Sequence, residues 1–162
     1  MKKIIIIGSP GAGKSTFARA LSKKTEIPVT YIDRLFWNDD KSVVAREILE
    51  ARIREVISKK EWIIDGNYKD TLPMRLEACD KVFLLDYPLE VCLEGIASRI
   101  GTVREDFPWI EEELHPEFLK FVKDFHKEYL PEIYLLLKKY QDKDITIFKS
   151  REEAEEYLKS LK

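Results

Sequence analysis

Apolar residues come in two rhythms along this chain. Short unbroken runs alternate with longer stretches in which apolar residues recur every three or four positions. Lys2–Ile7, Val29–Ile32, Glu61–Asp65, Asp80–Asp86 and Asp144–Phe148 are runs of the first kind and predict buried strands. Residues 13–24, 43–60 and 71–78, and the stripe Leu89, Cys92, Leu93, Ile96 and Ile100, are of the second kind and predict helices. Pro88 suits the first turn of that last helix. After a polar, acidic loop at 101–113 comes a long aromatic helical region from Leu114 to Tyr140, which Pro131 should kink or split. A final helix carries Ala154, Tyr157, Leu158 and Leu161. Strands alternating with helices predict an α/β fold with a parallel sheet covered on both faces. Ligands then bind beyond the carboxyl ends of the strands.

Composition narrows the picture. With 162 residues, 44% of them hydrophobic and 36% charged, the chain is one domain of an ordinary globular protein. A net charge of −2 gives none of the basic excess of a whole-surface nucleic-acid binder. Cys79 and Cys92 have neither zinc-ligand nor disulfide spacing and read as small core residues. The Ile4–Ile7 run is too short for a signal peptide or a membrane span, so the expected compartment is the cytoplasm, with no membrane partner.

One segment carries specific chemistry. Gly8-Ser9-Pro10-Gly11-Ala12-Gly13-Lys14-Ser15 fits G-x-x-x-x-G-K-[ST], lying after a predicted strand and opening a predicted helix. Its glycines let the backbone curl so that successive N–H groups face phosphate oxygens, and the helix N-terminus adds its positive end. Lys14 supplies a cation for the β- and γ-phosphates, Ser15 a hydroxyl for Mg²⁺, and Thr16 reaches a neighbouring phosphate. ATP and Mg²⁺ are therefore the expected ligands. Asp65, at a strand end, fits the second Mg²⁺ ligand; Asp86 fits the same pattern and stays an alternative. Gly66, Asn67 and Tyr68 follow in the same crevice.

The chain resembles the adenylate-kinase-like P-loop kinases, and more narrowly the bacterial DNA topology modulation (FlaR-related) family. Gly8–Thr16, Ile32–Trp37, Trp62–Tyr68, Arg75-Leu76 and Ala78–Asp86 carry the likeness. It implies a three-layer αβα sandwich on a five-stranded parallel sheet of order 2-3-1-4-5. It also implies a substrate-binding segment over about 33–60 and a short lid over about 101–113. On that likeness Asp33 orients the attacking hydroxyl, and Arg34, Trp37, Asn67, Tyr68 and Arg75 meet the acceptor. Arg99 and Arg104 would close over the transferring phosphoryl group. Each has a plainer alternative: Arg75 could pair with Glu77 or Asp80, the aromatics 35–37 could anchor a mobile segment, and Arg104 could be a solvated charge. His115 and His126 are expected outside the crevice, and the aromatic stripe of 118–140 is expected in the core.

The expected activity is ATP-dependent phosphotransfer to a small acceptor, a nucleotide or nucleoside, by a monomer or homodimer. Two rivals remain open: a nucleic-acid-associated ATPase or ATP-binding regulator affecting DNA topology, and an ATP-binding interaction protein without turnover.

Overall fold

The computed structural model describes all 162 residues. Its order is β1 (Lys3–Gly8), α1 (Lys14–Thr25), β2 (Val29–Tyr31), α2 (Ile32–Phe36), α3 (Arg46–Ile57), β3 (Trp62–Asp65), α4 (Leu72–Ala78) and β4 (Lys81–Leu85). There follow α5 (Leu89–Arg99), α6 (Pro116–Asp124), α7 (Leu130–Lys138), β5 (Asp144–Phe148) and α8 (Arg151–Ser160). The five strands form one sheet in the order β2-β3-β1-β4-β5, and every pairing is parallel.

Alternation along β1 explains its four consecutive isoleucines. Successive side chains leave a strand on opposite faces, so Ile5 and Ile7 enter the core beneath α3, α4 and α7. Ile4 and Ile6 enter the core beneath α1, α5 and α8. With helices on both sides, the middle of this central strand is apolar at every position from Ile4 to Ile7. Cys79 and Cys92 are free thiols buried one in each core. No helix is long and apolar enough to cross a membrane.

Two boundaries differ from the sequence reading, each for a local reason, and the break expected at Pro131 is found. The second strand stops at Tyr31, and Ile32–Phe36 turn into a short helix. The helix expected from residue 43 starts at Arg46, because Val43 bridges Trp37 and the Val44 N–H donates to the Phe36 carbonyl. The long aromatic helix does split: α6 passes into a π-helical turn, Phe125–Tyr129, before Pro131 enters the first turn of α7. Proline has no N–H to donate and its ring crowds the preceding turn, so the widened turn accommodates it.

Candidate active site

The crevice opens at the carboxyl ends of β1, β2 and β3, and its first wall is the loop 8–13. Gly11 has φ +83°, and a Cβ there would lie 2.1 Å from the Cys92 carbonyl oxygen. Gly95 of α5 faces it reciprocally, its missing Cβ 2.1 Å from the Gly11 oxygen. Two backbones thus press together where only glycines fit. Helix α1 starts at Lys14 with no side-chain cap and no acidic residue in its first turn. The N–H groups of Lys14, Ser15 and Thr16 have no backbone partner, which leaves a ready anion site. Lys14 Nζ donates to the Ser9 carbonyl at 3.1 Å. Burial lowers the Lys14 pKa, and the Asp65 carboxylate opposes that.

Asp65 is 7% exposed, and its carboxylate makes no hydrogen bond. Burial lifts its pKa to about 7, against the pull of Lys14. An unpaired buried carboxylate beside a phosphate cradle fits a cation, so Ser15 and Asp65 suit Mg²⁺. Asp86 does not face this way: it accepts from Lys149 Nζ and Tyr134 OH, both at 2.6 Å.

Across the crevice stand Asp33, from the first turn of α2, and Tyr68. The Tyr68 hydroxyl donates to Asp33 Oδ1 at 2.5 Å. Burial raises the Asp33 pKa, partly offset by that bond. Tyr68 is pushed up as well, first by burial and then by the Asp33 charge, so it stays a donor. Its backbone sits at φ +33°, a left-handed conformation that is strained for tyrosine.

What holds that strain corrects three sequence expectations. Arg75 is fully buried and never reaches the crevice. Its guanidinium donates to the carbonyls of Gly66, Asn67 and Tyr68, and its Nε to Thr71 Oγ1. Burial pulls its pKa down to about 9. Arg75 is a clamp on the loop, neither a phosphate ligand nor a surface partner of Glu77 or Asp80. Asn67 does line the crevice, but its amide is taken up by the backbone: it accepts from the Gly8 N–H at 3.0 Å and donates to the Gly8 carbonyl at 2.8 Å, tying loop 66–68 to the cradle. Arg34 reaches the lid instead of an acceptor, donating to the carbonyls of Arg104, Glu105 and Phe107.

The two remaining arginines diverge. Arg99, at the end of α5, makes no side-chain hydrogen bond or ion pair and lines the crevice beside Ser15 and Thr16. Burial and the neighbouring Arg104 charge lower its pKa. Arg104 is gripped by its own lid, at 2.8 Å from Asp106 and 2.7 Å from Glu111, with its side chain 10% exposed. It is no solvated charge.

Sequence reasoning missed one neighbour and misjudged one face. His126 Nε2 lies 2.8 Å from the Tyr87 carbonyl and 3.3 Å from Ser9 Oγ, directly behind the cradle. The π turn that carries it has no sequence signature beyond Pro131. His115 lines the same cavity. Of the aromatic stripe, Phe125 is core, whereas Phe121 is 40% and Tyr129 36% exposed on the cavity wall. Trp37 meets Phe107 and Trp109 of the lid, with ring centres 6.3 and 5.5 Å away. The whole cavity holds about 1370 Å³.

No protein-family model matches the chain. An adenylate kinase of Thermotoga neapolitana is 33% identical over 96 residues, 56% of this chain and 42% of the relative. An adenylate kinase of Clostridium novyi is 34% identical over 86 residues, 52% of this chain and 38% of that one. The matched region thus spans less than half the length of these curated relatives. Among solved structures, the shikimate kinase of Bacteroides thetaiotaomicron superposes with a TM-score of 0.63 at 18% identity, covering 98% of this chain and 94% of that one. The shikimate kinase of Aquifex aeolicus gives 0.57 at 20% identity, covering 96% and 90%. Sheet order, cradle and crevice together give this chain the P-loop kinase fold of the shikimate and adenylate kinases.

Proposed function

We propose that the chain is an ATP-dependent phosphotransferase that moves the γ-phosphate of ATP to a small acceptor of the nucleotide or nucleoside kind. The observation that carries this is the joining of two half-sites in one cavity: the cradle with Lys14 and Asp65, and the Asp33–Tyr68 pair facing it. A hydrolase needs only a path for water. Here the cavity beyond the cradle has room for a second substrate and a carboxylate buried at its wall. The adenylate kinase relatives and the shikimate kinase neighbours, by their names, act in this way on other acceptors.

The cradle N–H groups and Lys14 hold the triphosphate, and Arg99 approaches its far end. Asp33, held by Tyr68, takes the acceptor's hydroxyl proton. The acceptor oxygen bonds to the γ-phosphorus as the bond to the bridging oxygen breaks, and ADP leaves. Ser15 and Asp65 would hold Mg²⁺, which would neutralise phosphate charge. The lid over 101–113 excludes water so that transfer outruns hydrolysis. The likeness to the DNA topology modulation family is part of this proposal only as kinship. The acidic lid and the net charge of −2 do not suit a DNA groove.

The test is ADP release from Mg-ATP with nucleosides, nucleoside monophosphates, small hydroxylated metabolites or duplex DNA, each beside a control lacking acceptor. Stimulation by one small acceptor, with its phosphorylated product seen by mass, is the expected result. Stimulation by DNA alone, or ATP binding without turnover, overturns the proposal.

A further inference from the structure

The acceptor half of the cavity has cations, but they are already engaged. Arg34 holds three lid carbonyls, Arg75 holds three loop carbonyls, and Arg104 is neutralised by Asp106 and Glu111. Lys69 pairs with Glu132, and Arg151 donates to the Val91 carbonyl. Lys139 is exposed at the rim after α7. Arg19 donates to Thr16 Oγ1, and the exposed Lys41 stands over the outer Trp109 ring. The cations left for a substrate anion inside, Lys14 and Arg99, flank the triphosphate cradle. What faces the acceptor is acidic and aromatic. Asp33 points in, while Trp37, Phe107 and Trp109 form a cluster shared by the substrate segment and the lid. The rings of α6 and the π turn line the same cavity.

A phosphate or carboxylate on the acceptor would lose its water here and meet carboxylates instead of a guanidinium fork, a costly exchange. A flat ring would find stacking partners, and a hydroxyl would find Asp33. We infer that the acceptor is an uncharged hydroxyl compound with a flat, largely apolar ring, a nucleoside in chemical class, and that its phosphorylated counterpart is refused. This rests on the phosphotransferase reading and narrows it.

Matched pairs test it: adenosine, cytidine, uridine and thymidine, each beside its monophosphate, and benzyl alcohol beside its para-carboxy derivative. Binding is read by quenching of tryptophan fluorescence, since Trp37 and Trp109 line the cavity while Trp62 is a constant buried background. Turnover is read separately as ADP. The expected result is at least one pair whose neutral member binds about tenfold or more tighter, a difference of about 1.4 kcal/mol, with any phosphorylated product arising from the neutral member. Tighter binding or sole turnover of the anionic member overturns the inference, and so does quenching by no neutral probe. Quenching by neutral probes without any ADP leaves the charge preference standing and removes the phosphotransferase reading, so the two failures are distinct. Glu111→Gln releases one side of Arg104 and shifts the preference toward the anion. An unmoved ratio overturns the role given to the lid carboxylates.

Discussion

The two halves of the cavity are built in opposite ways. The proposed phosphate half comes from one continuous stretch, Gly8–Thr16, whose unpartnered backbone N–H groups would do most of the binding. The acceptor half is assembled from side chains far apart in the chain: Asp33 meets Tyr68 35 residues on, and Arg34 meets the lid about 70 residues on. A phosphate cradle can be written as a local motif because backbone N–H groups are the ligands and glycines set their directions. An acceptor pocket has no such shortcut. Its side chains compete for the same partners, and folding decides which stay available. Four arginines were candidates for the reaction; the folded chain leaves only Arg99 without a partner.

The sharpest way to break this comparison is in the phosphate half. Lys14→Ala should lower transfer by about 10³-fold or more, in line with the electrostatic contribution of groups on the transferring phosphate. Steady-state kinetics with saturating ATP, beside a thermal melt to show folding, makes the measurement. Activity within about tenfold of wild type would place the active site elsewhere. In the acceptor half, Asp33→Asn keeps an acceptor for the Tyr68 hydroxyl but cannot take a proton. Its kcat should fall by about 10²-fold or more, as for loss of a general base, with the KM for ATP little changed.

A smaller effect separates a ligand from a clamp. Arg75→Met keeps the bulk of the side chain but leaves the Gly66 and Asn67 carbonyls unpaired, while the Tyr68 carbonyl keeps the Thr71 N–H. Each such group costs about 1–3 kcal/mol, so urea unfolding should show a loss of roughly 2 kcal/mol or more. The KM for ATP and that for the acceptor should both rise modestly, because loop 66–68 also carries Asn67, which ties down Gly8. An acceptor-phosphate ligand would raise the acceptor KM alone and leave stability alone.

The same contrast accounts for what the chain reveals before it is folded. The sheet was legible, because Ile4–Ile7, Trp62–Asp65 and Val82–Leu85 are runs that only a doubly covered parallel sheet can bury. The cradle was legible for the reason given above. Of the residues expected to meet an acceptor, Asp33 and Tyr68 line the crevice as a hydrogen-bonded pair. Arg34, Asn67 and Arg75 direct their polar groups to backbone, and no pattern within 33–75 says that a guanidinium or an amide will turn that way. His126 was illegible for a different reason. A helix of ordinary period would aim it elsewhere, and it reaches Ser9 through the π turn before Pro131.

The smallest expected effect runs the other way, toward greater stability. Folding raises the Asp33 pKa from its ordinary value of 3.8, chiefly by burying it. The native state therefore holds that proton more tightly than the unfolded chain does. Stability falls as pH climbs from the unfolded value through the raised native one, then levels off. The charged carboxylate above that window costs the fold stability. Asp33→Asn removes the titration while keeping the Tyr68 hydrogen bond. Its Tm should match wild type at the acid end of the window and exceed it near neutral pH. The excess should be small beside the loss expected of Arg75→Met, and its sign is what the comparison reads. Melting curves for both proteins across that pH range make the comparison. A variant that is slower yet more stable at neutral pH marks Asp33 as a group held against its own solvation for the sake of the reaction. A variant less stable at every pH marks it instead as a structural carboxylate, and the acceptor half would then lack its base.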